Sequence, residues 1–306
     1  MTAINRRSAQ RGRVAGPHGT GPAPSTTNAA SRRRQRRSTL LVHGILIGYT
    51  FIALGPIIMI LMNSLKERGA IFASPFTPPT PETLSVEGYE AVFDRADFAT
   101  YFANSIVVTV ASVFLTLLLG AMAAFALTEY RTRLAPILLG YLALGIMVPI
   151  RLGTVSLLQL MNQLELVNTR TALVLVYVAM GLPLAVVLLS QYFRQAPREL
   201  REAARVDGAG ETRVFRILLP LIRPGLGAVG IASMLPIWND LWFPLILAPS
   251  DRTATVTLGV QQFIGQFAAD WNAVLATLTL GALPLIVLYL IFARQFVSGL
   301  TAGVGK

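Results

Sequence analysis

Apolar residues fall in six long runs, at about 39–63, 104–127, 135–158, 171–193, 225–248 and 273–293, separated by polar segments. A hydrocarbon core of about 30 Å needs roughly 20 apolar residues of helix, so each run predicts a membrane span. Thr39 to Asn63 has no charged residue. It is about 25 residues, or roughly 38 Å of helix, longer than the apolar region of a signal peptide and predicted to stay in place. The third run is interrupted by Arg151, and the fifth holds Pro236 and Pro244. Proline inside a span removes a backbone hydrogen bond, so the fifth span is predicted to be broken. The two halves of the chain show no internal repeat of the kind expected of an inverted-repeat carrier.

Composition agrees with this pattern. The chain is 54% hydrophobic and 13% charged, and it contains no cysteine. Disulfide frameworks, thiolate metal sites and cysteine nucleophiles are therefore excluded. His18 lies in a polar tail and His43 stands alone beside the first span, so neither is assigned a role. The net charge of +11 is concentrated in residues 1–37, which hold nine arginines and no acid. Residues 1–38 are rich in Gly, Pro, Ser and Ala, too poor in apolar residues to order themselves. They predict a disordered basic cytoplasmic tail, whose Arg32–Arg37 run is attracted to anionic membrane lipid rather than nucleic acid.

Loop charges then orient the spans. Seven arginines lie between residues 194 and 224, and Arg131 and Arg133 lie in the short loop at 128–134. The 64–103 loop carries six acids against three basic residues. The positive-inside rule puts 128–134 and 194–224 inside, 64–103, 159–170 and 249–272 outside, and both termini in the cytoplasm.

The inner loop at 197–217 contains more helix than a connection requires. Arg198 to Val206 follows Pro197 and consists largely of Glu, Leu, Arg and Ala, all good helix formers. Asp207-Gly208-Ala209-Gly210 supplies turn residues, and a second helix follows with Val214, Phe215 and Leu218 on one face. From the residues alone, this pair of short helices is either an amphipathic element lying on the inner leaflet or a docking surface for another protein.

Glu202-Ala203-Ala204, Asp207-Gly208-Ala209, Phe215, Ile217 and Leu219-Pro220 resemble the loop by which permease subunits of ABC importers grip their ATPases. The resemblance implies that Glu202 pairs with a basic residue in an ATPase cleft and that Gly208 makes the turn between two coupling helices. It assigns ATPase docking to Glu202, Ala203, Ala204, Asp207, Gly208, Ala209 and Phe215. Eight residues separate Gly208 from Ile217, where the family usually has nine.

Further stretches resemble the shorter permease of the sugar (maltose-type) branch: Asn104-Ser105, Asn168-Thr169, Trp238-Asn239-Asp240-Leu241-Trp242-Phe243-Pro244-Leu245, Asp270-Trp271, and Gln295 to Gly303. Over residues 40–303 the likeness implies an all-α polytopic membrane protein with six transmembrane helices and a cytoplasmic coupling loop. The domains expected are the tail, 1–38, and a permease domain, 39–306. The implied partners are a second permease, a cytoplasmic ATPase dimer and an extracytoplasmic sugar-binding protein in a bacterial inner membrane. Gly299, Leu300, Thr301 and Ala302 would reach between the ATPase subunits. No cofactor is expected, because ATP is bound by the partner. Nor is an enzyme: no P-loop spacing and no paired acids within the spans occur.

The expected function is the permease subunit of an ATP-driven sugar importer. The rivals are an ABC importer for another solute and an ion-coupled carrier. Arg151, Trp238, Asn239 and Trp242 are candidates for the translocation path. An arginine is costly against lipid, and two tryptophans four residues apart would share a helix face suited to stacking on a sugar ring.

Overall fold

The computed structural model describes residues 27–301 except 96, 131–132 and 265–268, and for 27–38 and 288–301 only the helical backbone. Residues 1–26, Arg131 and Ala302 lie outside the described residues. Gly299, Leu300 and Thr301 are described only as helix backbone. Among the described residues the chain is built of helices, with two isolated antiparallel bridges, Lys66–Leu84 and Ile264–Ala269, and no sheet.

In chain order the helices are α1 (Thr27–Asn63), α2 (Arg68–Ala73), α3 (Glu87–Arg95), α4 (Phe98–Glu129), α5 (Ala135–Met147), α6 (Thr154–Gln163), α7 (Arg170–Gln195), α8 (Arg198–Val206), α9 (Glu211–Leu218), α10 (Arg223–Trp238), α11 (Trp242–Leu247), α12 (Val256–Gly259) and α13 (Trp271–Thr301). The chain divides into two units at Pro56, a proline inside α1. In the first unit α1 is already helical over 27–38, and its positions from Thr39 onward are exposed, as an apolar surface meant for lipid would be. The remaining helices form the second unit.

Three helical segments are long and apolar enough to cross a membrane: Thr39–Asn63, α4 and α7. Two bent pairs bring the number to five among the described residues. α5 meets the Ile150–Gln163 segment at 81°, and α9 meets α10 at 78°. The apolar run at 135–158 is thus not one continuous helix. Pro149 is the cause: it forces Val148 into extended backbone (φ −75°, ψ 122°), and a 3-10 turn over Ile150–Gly153 follows. Arg151 sits in that turn.

The fifth run is broken as predicted, but not at its prolines. Pro236 lies within α10, which continues to Trp238, and Pro244 falls in the first turn of α11, where no helical N–H bond is lost. The break is at Asn239, Asp240 and Leu241. Trp238 and Trp242 therefore sit on different helices, and the shared face expected from their spacing does not exist.

α4 and α7 form the central pair. Their backbones approach so closely that a Cβ on Gly120 would lie 2.8 Å from the Cβ of Ala185. Small residues at a helix interface allow this approach in membranes, where dispersion and not water exclusion must hold helices together. At one end of the pair Ala121, Ala124, Phe125, Ala185, Leu189 and Phe193 form a core that extends onto Ala204, Val214 and Leu218 of α8 and α9.

The paired motifs elsewhere in the sequence turn out to be joints. Asn104, buried in α4, donates to the carbonyls of Arg252 and Ala254, and Ser105 accepts from Val256 N–H. Asn168, at positive φ, accepts from Ser250 and Thr253, while Thr169 caps α7 by accepting from Ala172 N–H. Asp270 does the same for Ala273 and pairs with Arg95 at 3.1 Å. Each is a polar side chain fixing a loop to a helix end.

Candidate functional site

The loop at 197–217 folds as the two helices α8 and α9, which meet in a turn made by Gly208. Gly208 has φ +77°, its N–H donates to Arg205 O, and the next N–H, of Ala209, donates to Ala204 O. This pair of reversed bonds is a Schellman cap with glycine in the left-handed position. Below it, α9 buries Val214 and Leu218 and sets Phe215 against the rings of Phe125 and Phe193, at 5.3 and 6.2 Å between centroids. The apolar face of α9 is thus satisfied by the ends of α4 and α7.

α8 is arranged the other way round. Its inward side carries Arg201, Ala204 and Arg205. Glu129, the last residue of α4 with a side chain only 5% exposed, accepts from Arg205 Nη2 at 2.6 Å and pairs with Arg201 Nη1 at 3.2 Å. Arg201 also donates to the carbonyls of Phe193 and Ala196 at the end of α7, and Arg205 pairs with Glu211 at the start of α9 at 3.1 Å. The hydrogen bond to Glu129 is the chief influence holding the Arg205 guanidinium above its ordinary pKa. Removing Glu129 leaves the Arg201 side chain, 12% exposed, without its counter-charge, whereas removing Arg205, 41% exposed, leaves Glu129 still paired with Arg201.

With Arg201 and Arg205 turned to Glu129, the outward side of α8 presents Arg198, Glu199, Leu200, Glu202, Ala203 and Val206. Leu200 is 41% and Val206 87% exposed. Of the residues that sequence assigns to docking, Glu202, Ala203, Asp207 and Gly208 are exposed, Ala209 is half-buried, and Ala204 and Phe215 pack inward.

A second polar cluster lies where the two broken helices meet. The Arg151 guanidinium stands 5.8 Å from the centre of the Trp242 ring and 3.8 Å from Asp240, whose side chain is 10% exposed. Asp240 accepts from Tyr177 of α7 at 2.9 Å and from the N–H groups of Trp242 and Phe243, and Trp242 Nε1 donates to Thr154 Oγ1. Arg151 and Trp242 therefore come together, but Trp238 does not join them. It is buried, donates to Gly281 O and packs edge-on against Phe102. Trp238 and Asn239 line an apolar cavity of about 240 Å³ with Thr257 and residues of α13. Asp240 and Glu129 are the organising acids of the two clusters, and sequence reading singled out neither for a role. Among the described residues no group of acids and histidines could hold a metal ion.

Residues 95–301 match the family described as the binding-protein-dependent transport system inner membrane component. The chain belongs to this family. As a permease component it takes part in transport and is not an enzyme; the family's membrane subunits carry no cofactor, and the ATP is bound by a separate ATPase. The permease is 31% identical over 277 residues to the diacetylchitobiose uptake system permease protein NgcG of Streptomyces coelicolor, covering 90% of this chain and 91% of that one. It is 30% identical over 276 residues to the arabinooligosaccharides transport system permease protein AraQ of Halalkalibacterium halodurans, covering 88% and 98%. Among solved structures, a chain of a bacterial ABC transporter involved in the import of the acidic polysaccharide alginate has the same fold. That match has a TM-score of 0.74 and 22% identity, over 86% of this chain and 98% of that one.

Proposed function

We propose that this permease is one half of the translocation path of an ATP-driven sugar importer, with six spans and both termini in the cytoplasm. The sixth span is α13, and the broken segments at 135–163 and 223–247 each count as one. The other half is a second permease. An extracytoplasmic binding protein delivers the saccharide, and an ATPase dimer docks on α8 and α9. The sugar relatives over nearly the whole chain support the substrate class.

The observation that carries the docking reading is the inverted polarity of α8. A helix that simply packed on its own protein or lay on the leaflet would direct Leu200 and Val206 inward and its arginines outward. Here Arg201 and Arg205 are committed to Glu129, while Leu200, Val206 and the acidic residues are left facing out beside Arg198. An exposed rim of that kind fits a cleft lined by apolar and basic groups on a partner. Movement of the ATPases would then swing α8 and α9 as a rigid body and alternate the access of the path.

Glu202→Lys tests this. Charge reversal in a desolvated cleft costs several kcal/mol, so the variant is expected to insert normally, lose the ATPase on copurification, and lose ATP-driven uptake of labelled oligosaccharide. Normal copurification with uptake intact overturns the docking role. Uptake abolished promptly by a protonophore while ATP is clamped would favour an ion-coupled carrier instead.

A further inference from the structure

An acid at the end of α4 opposes the helix dipole, which favours cations at that position. Glu129 is there nonetheless, buried to 5% exposure, and its charge is answered by two arginines from a helix about seventy residues later in the chain. The foothold of α8 on the membrane helices is otherwise slight: of its own residues only Ala204 is buried. Small apolar contacts allow sliding, whereas the charge-assisted hydrogen bond from Arg205 at 2.6 Å fixes both distance and direction, and the ion pair to Arg201 at 3.2 Å adds to it. Arg201 also grips the last carbonyls of α7 and Arg205 grips α9, so four helix ends meet at one ionic knot.

What the knot holds is stiff. α4 and α7 interlock through Gly120 against Ala185 and Gly181 against Thr116. Further along α7, Tyr177 bonds Asp240, which faces Arg151 and supports the turn before Trp242. Through α7, these contacts form a continuous path from the ionic knot to the polar cluster at the broken helices.

We propose that Glu129 is a positioning residue for transport, the clamp through which movement of the α8–α9 pair is passed to α4 and α7. This rests on the docking reading of α8. Without the clamp, ATPases can still bind and hydrolyse, but the stroke is lost as α8 slips over the helix ends.

The test uses the assembled complex of both permeases, ATPase and binding protein in proteoliposomes, and measures copurified ATPase, hydrolysis, and saccharide taken up per ATP. For Glu129→Gln and the milder Arg205→Gln, which leaves Arg201 paired to Glu129, the ATPase is expected to stay bound and hydrolysis to persist. Uptake per ATP should fall by about fivefold or more, the scale of typical coupling between sites. Glu129→Asp, which keeps the charge, should recover most of the ratio. A wild-type ratio in Arg205→Gln and in Glu129→Gln at normal abundance overturns the clamp. So does a parallel fall of abundance, hydrolysis and uptake in both variants with the ratio unchanged, which would make Glu129 a structural anchor only. Failure of the docking reading looks different: Glu202→Lys would keep its ATPase, whatever the ratio in the Glu129 variants.

Discussion

The Arg151 guanidinium lies 5.8 Å from the centre of the Trp242 ring, joining the break after α5 to the break before α11. Neither side chain is buried: the Arg151 side chain is 68% exposed and Trp242 40%. A cation–π contact at an exposed site is worth about 0.5–1 kcal/mol. The 3.8 Å pair to Asp240, long and with its arginine in solvent, adds about 1 kcal/mol at most, because Asp240, 10% exposed, is already bonded by Tyr177, Trp242 and Phe243. Such weak bonds are poorly suited to holding a fold and well suited to being exchanged for the hydroxyls of a passing sugar.

Arg151→Met is accordingly expected to leave the assembled complex within about 1–2 kcal/mol of wild-type stability. Uptake should drop severalfold, with basal hydrolysis intact. Thermal unfolding of the purified complex beside an uptake assay separates these quantities. A complex that falls apart would make the arginine structural.

Gly208 offers a cleaner backbone test. Nothing lies within 4 Å of where its Cβ would stand, so no clash accompanies a substitution and only φ +77° is at stake. Gly208→Val should cost at least about 1–2 kcal/mol of local stability, and Gly208→Asn distinctly less, because asparagine tolerates the left-handed region. Comparing the two by protease sensitivity of the 197–217 loop and by ATPase copurification checks the ranking. Equal behaviour would mean that the turn relaxes.

Gly120 tests the close approach of α4 and α7. A valine there must displace the Ala185 Cβ, already 2.8 Å from an added methyl, and overpacking of this kind costs about 1–3 kcal/mol. Gly48→Ala, on an exposed part of α1 with nothing within 4 Å, should be silent. Denaturation midpoints in detergent rank the pair. A silent Gly120→Val would show that the two helices can separate freely.

These sites differ in how far the sequence revealed them. Long uncharged runs gave Thr39–Asn63, α4 and α7 directly, since apolar length is itself the physical requirement for a span. Gly208 was legible for a similar reason: few residues other than glycine suit the turn. The break at Val148 was within reach, because Pro149 restricts the residue before it, but Arg151 drew attention to a cost against lipid within an assumed straight helix. Trp238 and Trp242 misled because helical spacing holds only while the helix continues, and α10 stops at Trp238. Glu129 was least legible. Its meaning depends on arginines about seventy residues away, and only the folded chain shows that Arg201 and Arg205 of α8 turn towards it.

The central claim is that the outward face of α8 is covered by the ATPase, and accessibility of a single thiol tests it most directly. The chain has no cysteine, so Val206→Cys, at a position 87% exposed, introduces one reporter. Its reaction rate with a membrane-impermeant maleimide is measured in inside-out vesicles with and without the ATPase. Thr212→Cys, exposed in the first turn of α9, serves as a second reporter. Strong protection of residue 206 when the ATPase is bound, reversed when the ATPase is stripped away, is the predicted result. Equal labelling of residue 206 in bound and stripped vesicles would contradict the account.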